Sequence, residues 1–144
     1  MASCKSTQKI TATQIHHAKA EKVVRNAKQF LNTPYKYGGV TKRGMDCSGL
    51  VYTIFQKENI KLPRVSREMA KQGKNIPLKR AKKGDLIFFS TGKTQGISHV
   101  GLVTSIKNGQ VFFIHSSTKR GVIISSINEP YYKNTFVKVQ RILF

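Results

Sequence analysis

Acidic side chains are scarce in this chain of 144 residues: six, against 26 lysines and arginines, for a formal net charge of +20. A field of that sign disfavours cationic ligands and attracts polyanions at long range, with marked salt dependence. Tryptophan is absent, and there are only two cysteines and four prolines. No apolar run approaches the roughly 20 residues that span a bilayer. The length suits one domain able to bury a core without disulfide staples. The single pairing available, Cys4 with Cys47, would consume a thiol for which the rest of the sequence supplies a use, so both are expected free. Six basic residues and no acid lie between residues 71 and 83, around Pro77, and read as a surface loop. No nucleic-acid-binding motif accompanies them, and the aromatics fall in predicted core strands, so no specific nucleic acid is expected as partner.

Against this background the segment Asp46-Cys47-Ser48-Gly49-Leu50-Val51 stands out. Cys47, Leu50, Val51, Ile54 and Phe55 recur at the spacing of an amphipathic helix, with Asp46 as its N-cap. Cys47 then occupies the first turn, where free backbone N–H groups and the helix dipole favour a thiolate and should lower the thiol pKa. Far downstream, His99 opens the apolar run Val100-Gly101-Leu102-Val103 and His115 closes Val111-Phe112-Phe113-Ile114. Asn108-Gly109 between them signals a hairpin. A plain two-residue turn would place His115 opposite Leu102, on the wrong face for His99, so the pattern predicts a bulge or an odd-length connection that brings both imidazoles to one side. A thiol, a base and a second imidazole to orient that base form a nucleophilic set. One cysteine and two histidines at such spacing lack the close ligand pairs of structural zinc sites, and neither metal nor cofactor is expected.

These residues resemble the NlpC/P60 family of papain-like cysteine peptidases. Six ordered segments carry the resemblance: Thr33-Pro34-Tyr35-Lys36-Tyr37-Gly38-Gly39, Asp46-Cys47-Ser48-Gly49-Leu50-Val51, Leu62-Pro63-Arg64-Val65-Ser66, Gly84-Asp85-Leu86-Ile87-Phe88-Phe89, His99-Val100-Gly101 and Ile114-His115-Ser116. It implies Cys47 as nucleophile, His99 as base, His115 as the third polar residue and Tyr35 as a contributor to the oxyanion hole. Asp46, Ser48 and Ser66 match positions that hold the free amino end of a cell-wall stem peptide, with Tyr37 and Arg64 flanking. The implied activity is hydrolysis of the γ-D-glutamyl–diaminopimelate bond through a thioester. Alternatives are an amidase or acyltransferase on the same fold, or a non-catalytic basic module for wall polymers. Peptidoglycan stem peptides are the implied substrate, an anionic wall polymer or membrane surface a further partner, and the bacterial envelope the implied location. Met69 stands where the family frequently has glutamine.

The expected fold class is α+β: N-terminal helices packed on a central antiparallel sheet. Residues 1–13 read as a flexible leader, with Ala2-Ser3-Cys4-Lys5-Ser6 like the end of a lipobox and Cys4 a possible lipid anchor; residues 14–144 read as one catalytic domain. Helices are predicted over residues 19–31 and 47–58, with a short one after Ser66 as its cap. Strands are predicted over residues 86–89, 100–106, 110–114, 122–125 and 136–143.

Overall fold

The computed structural model describes residues 9–93 and 95–144; Cys4 lies outside them. Helix α1 (Ala12–Lys28) starts well before the expected residue 19 and takes in the end of the expected leader. Its cause is local. Thr11 and Gln14 form a reciprocal capping box, Gln14 N–H donating to Thr11 Oγ1 and Thr11 N–H to Gln14 Oε1, which satisfies donors that the first turn leaves free. Val23, Val24 and Ala27 are buried as expected, whereas Leu31 lies beyond the helix and is 37% exposed.

A small hairpin, β1 (Val40–Thr41) with β2 (Gly44–Met45), precedes α2 (Cys47–Gln56). Leu50, Val51, Ile54 and Phe55 on α2 are fully buried. Helix α3 (Ser66–Met69) begins where expected, but Ser66 is its first residue and not its cap: Val65 holds that position without a side-chain bond. Met69, in the glutamine position, is fully buried.

The main sheet holds β3 (Lys74–Ile76), β4 (Leu86–Phe89), β5 (His99–Lys107), β6 (Gln110–Ser117), β7 (Gly121–Ser126) and β8 (Phe136–Arg141) in the order β3-β8-β4-β5-β6-β7, with every pair antiparallel. The strand β3 corrects the expected surface loop: Lys74, Asn75 and Ile76 pair with β8 at the sheet edge, where lysine discourages further strand addition. Helix α4 (Pro130–Thr135) was not foreseen either.

Both faces of the sheet are covered, which is why β4 is apolar at all four positions rather than alternating. Leu86, Phe88, Val100, Leu102, Ile114 and Val122 meet α1 and α2. Ile87, Phe89, Val103, Phe113 and Val139 form a second cluster with Tyr132 of α4. Asp85 acts as a turn residue: its buried carboxylate accepts from Lys82 N–H and from Nε and Nη2 of Arg141 at 2.8–2.9 Å.

Candidate active site

The two histidines are brought together by the expected bulge. Asn108 and Gly109 have φ of 53° and 76°, the left-handed pair of a type I′ turn. From Lys107–Gln110 the register runs to Ser105–Phe112, then shifts so that Val103 pairs with Phe113 and Leu102 with Ile114; Thr104 is the extra residue. One step on, His115 falls beside Gly101, on the face that carries His99. A Cβ at Gly101 would lie 2.8 Å from the Phe113 ring and 3.2 Å from His115 Cβ, so glycine gives the imidazole pair its room.

His99 Nε2 lies 2.9 Å from His115 Nδ1, and His115 Nε2 lies 2.8 Å from Ser125 Oγ on β7. Tyr132 closes the group, its ring edge-on to His115 at 5.1 Å. Sequence reasoning missed Ser125 and Tyr132. Serine on a predicted strand carries no local signal, and only the pairing of His115 with Ile123 in the β6–β7 ladder places Ser125 near the ring. Burial holds His99 well below the ordinary histidine pKa, at about 4, and lowers His115 as well, with His99 adding to the effect. Both rings are therefore neutral at pH 7.

Cys47 stands opposite, at the first position of α2, with its thiol 3.9 Å from the carbonyl oxygen of Ser98, the residue before His99. Burial raises the thiol pKa; backbone N–H groups of Val100, Ser48 and Cys47 pull it back, and the charge of Asp46 adds to the rise. The expected lowering by the helix terminus is thus outweighed by desolvation, and the resting pair is a neutral thiol with a neutral imidazole. The two sides are fastened by Ser116, whose hydroxyl donates to the carbonyl of Met45, two residues before Cys47, at 2.7 Å.

A cleft of about 370 Å³ opens at Cys47, lined by Tyr35, Tyr37, Gly38, Asp46, Cys47, Ser48, Arg64, Val65, Ser66 and Ser98. All five residues expected to bind substrate therefore line one cleft with Cys47. Tyr37, at 88% exposure, is a rim residue and not a core aromatic. Burial, then the charges of Asp46 and Cys47, raises the Tyr35 phenol above its ordinary pKa, keeping it a hydrogen-bond donor. Gly38, at φ 77°, turns its N–H onto Asp46 Oδ2 at 2.7 Å; Gly49 N–H reaches Oδ1 at 2.7 Å. Arg64 Nη2 bridges both Asp46 oxygens at 3.1 and 3.3 Å, while its Nη1 donates to Ser48 Oγ at 2.8 Å. Among the described residues, no group of three His, Cys, Asp or Glu side chains is arranged to hold a metal ion.

Comparisons with known proteins agree with this geometry. The model of the NlpC/P60 family matches residues 32–141. The murein DD-endopeptidase MepS/murein LD-carboxypeptidase of Escherichia coli K12 is 43% identical over 76% of this chain and 55% of its own length. A γ-D-glutamyl-L-lysine dipeptidyl-peptidase of Bacillus subtilis is 36% identical over 85% of this chain and 40% of its own. The chain thus spans about half the length of these relatives, or less. The crystal structure of an NlpC/P60 family protein from Bacillus cereus superposes with a TM-score of 0.78 at 33% identity, covering 87% of this chain and 40% of that one. With a cysteine at a helix N-terminus facing a paired-histidine sheet and the family match running through both, the chain belongs to the NlpC/P60 family and is a hydrolase of the cysteine-peptidase type.

Proposed function

We propose that this protein cuts the stem peptides of bacterial peptidoglycan in the cell envelope, at the amide between γ-D-glutamate and diaminopimelate, through a thioester on Cys47. The observation that carries the reading is the line from His99 through His115 to Ser125, which starts one residue after Ser98, whose carbonyl oxygen lies 3.9 Å from the Cys47 thiol; Ser98 lines the Cys47 cleft, and His99 a second pocket with Tyr132. In the catalytic direction Ser125 accepts from His115 Nε2–H, and His115 Nδ1 accepts from His99 Nε2–H. His99 is thereby left with a basic Nδ1. That nitrogen takes the proton of Cys47 as sulfur attacks the substrate carbonyl. The Cys47 backbone N–H and the Tyr35 hydroxyl stabilise the oxyanion. His99 returns its proton to the leaving amine, the C–N bond breaks, and water, deprotonated by the same imidazole, releases the acid and restores the thiol.

Two kinds of bond compete for the assignment, because one relative is named for a D,D cleavage and another for a γ-D-glutamyl link. The excess of basic residues suits a wall rich in carboxylates and phosphates. Incubating the wild type beside Cys47→Ala with defined stem peptides and cross-linked dimers, and weighing the products, tests the reading. Cleavage after γ-D-glutamate by wild type alone is expected. Cleavage only at a D,D cross-link moves the assignment to that bond, and no cleavage by either protein overturns it.

A further inference from the structure

Unpaired positive charge gathers at the end of the sheet remote from Cys47. A hollow of about 530 Å³ there has Lys74, Lys79, Arg80, Lys82 and Arg141 among its nine lining residues. Five in nine, against 26 in 144 for the whole chain, means that the excess is local and not evenly spread. Lys74, Lys79, Arg80 and Lys82 are exposed and have no acidic partner among the described residues. Asp85, beneath them, is buried and spent on Arg141. Mutual repulsion of four such cations costs stability, yet the backbone that carries them is pinned. Lys82 N–H donates to Asp85 Oδ2 at 2.8 Å, Arg141 Nη2 donates to the Arg80 carbonyl at 3.3 Å, and Lys74 is held in β3 opposite Arg141 of β8. The cations therefore start from fixed places, which lowers the ordering cost of binding an anion.

We propose that this hollow is a second binding site, for a linear polymer that carries phosphates and no bases. Lysine binds phosphate as a point charge and arginine as a fork. Nucleic acid fits less well, because no aromatic side chain lines the hollow and bases would have nothing to stack on. A membrane surface also fits less well, since none of the exposed large apolar side chains lies in the lining to enter the lipid. Position gives the site its use. Leu86 pairs with Leu102 and Gln140, beside Asp85 and Arg141, whereas Phe89 pairs with His99. Four residue steps of β4, roughly 13 Å, thus separate Asp85 from the end that carries the histidine. Polymer and peptide can be held at once, the hollow keeping the protein on the polymer while the Cys47 cleft stays open. The binding itself does not depend on the peptidase reading.

The test measures binding of long-chain inorganic polyphosphate by calorimetry at physiological ionic strength. Wild type is compared with a fourfold variant of the hollow, Lys74→Gln, Lys79→Gln, Arg80→Gln and Lys82→Gln. A second fourfold variant makes the same charge change elsewhere, at Lys28→Gln, Lys42→Gln, Arg43→Gln and Lys61→Gln; all eight positions are exposed. The hollow variant should lose at least about thirtyfold in affinity, and its slope of log affinity against log salt should be shallower by about 3, as for four phosphate contacts. The second variant should lose less than about fivefold. Equal losses in the two variants would assign the attraction to net charge and overturn the inference. So would the absence of polyphosphate binding by wild type, or tighter binding of oligo(dT), poly-L-glutamate or phosphatidylglycerol vesicles than of polyphosphate. If the hollow variant does not fold, Arg80→Gln alone should still lose about fivefold, and an unchanged affinity there would overturn the site.

Discussion

The two walls of the active site are built from different parts of the chain and by different physics. One wall is local: Tyr35, Asp46, Cys47, Ser48, Arg64 and Ser66 come from within a short stretch and open onto solvent. The other is assembled from three strands, with His115 fully buried and Ser125 nearly so. In the proposed reaction the local wall holds the reacting sulfur and the groups that meet substrate. The sheet wall holds the His99–His115–Ser125 line, which as the proposed proton path must stay dry and aligned. A change in the first should therefore alter chemistry at little cost to the fold, and a change in the second should alter both.

The sharpest break is Cys47→Ala. Loss of the nucleophile should lower stem-peptide hydrolysis by more than about 10⁴-fold, while the midpoint of thermal unfolding shifts by only a few degrees, because the side chain is small and half-buried at the edge of the core. Residual turnover in the variant would show that another group attacks. The resting neutral pair adds a signature. Alkylation of Cys47 by iodoacetamide should speed up through neutral and mildly alkaline pH; a rate already flat at pH 5 would mean a thiolate–imidazolium pair.

Acid tests the sheet wall instead. Below the ordinary histidine pKa of 6.5 the unfolded chain takes up protons that the buried His115 and half-buried His99 refuse, His99 holding out to about 4 and His115 also lowered. The stability contributed by these depressed values is full above pH 6.5 and is withdrawn as pH falls toward 4, by up to about 1.4 kcal/mol per pH unit for each histidine. Urea midpoints at pH 7.5, 6 and 5 should fall in that sense, and His115→Gln should flatten the fall. An equal slope in the variant would assign the acid sensitivity to other groups.

The same division explains what could be read from the sequence. Helix α2, its Asp46 cap and the stripe of Leu50, Val51, Ile54 and Phe55 are local patterns, and the structure places them as read. The bulge at Thr104 was legible only as a contradiction in register, and the contradiction was informative because both histidines had to share a face. Strand β3 was hidden because three residues of an edge strand, two of them polar, carry no alternation, and its pairing with β8 is long-range. The thiol pKa was misjudged for a related reason. Helix position can be read from sequence, whereas burial, the larger influence here, belongs to the tertiary structure. The bracing of Asp46 by Gly38 N–H and Arg64 is likewise a tertiary feature.

Ser125→Ala probes the deeper end of the sheet wall. It removes the acceptor of His115 Nε2–H without touching substrate, so kcat should fall about tenfold with KM little changed, the range expected when an orienting hydrogen bond is lost. Ser125→Thr, which keeps the hydroxyl, should restore most of the rate. Imidazole nitrogen NMR should show His115 losing its single tautomer in the alanine variant. An unaltered tautomer would reduce Ser125 to packing.

The smallest effect expected, and the one that bears most directly on how the walls act together, is at Ser116. Its hydroxyl reaches Met45 from the strand that carries His115, so it fixes the nucleophile's loop to the strand of the histidine that orients the base while touching neither reacting group. Ser116→Ala should cost roughly 1 kcal/mol of stability, since the Met45 carbonyl loses one of its two donors and keeps Lys36 N–H at 3.2 Å. Its kinetic effect should exceed what that loss implies for a fully folded enzyme: kcat a few-fold lower, with the alkylation rate of Cys47 unchanged. Sulfur reactivity depends on the thiol's immediate surroundings, Val100 N–H of β5 among them, whereas turnover also needs sulfur and imidazole in register, where misplacement by a fraction of an ångström is costly. Equal falls in alkylation and turnover would mean that Ser116 shapes the cysteine's own surroundings, and the two walls would then be one unit rather than two that are bolted together.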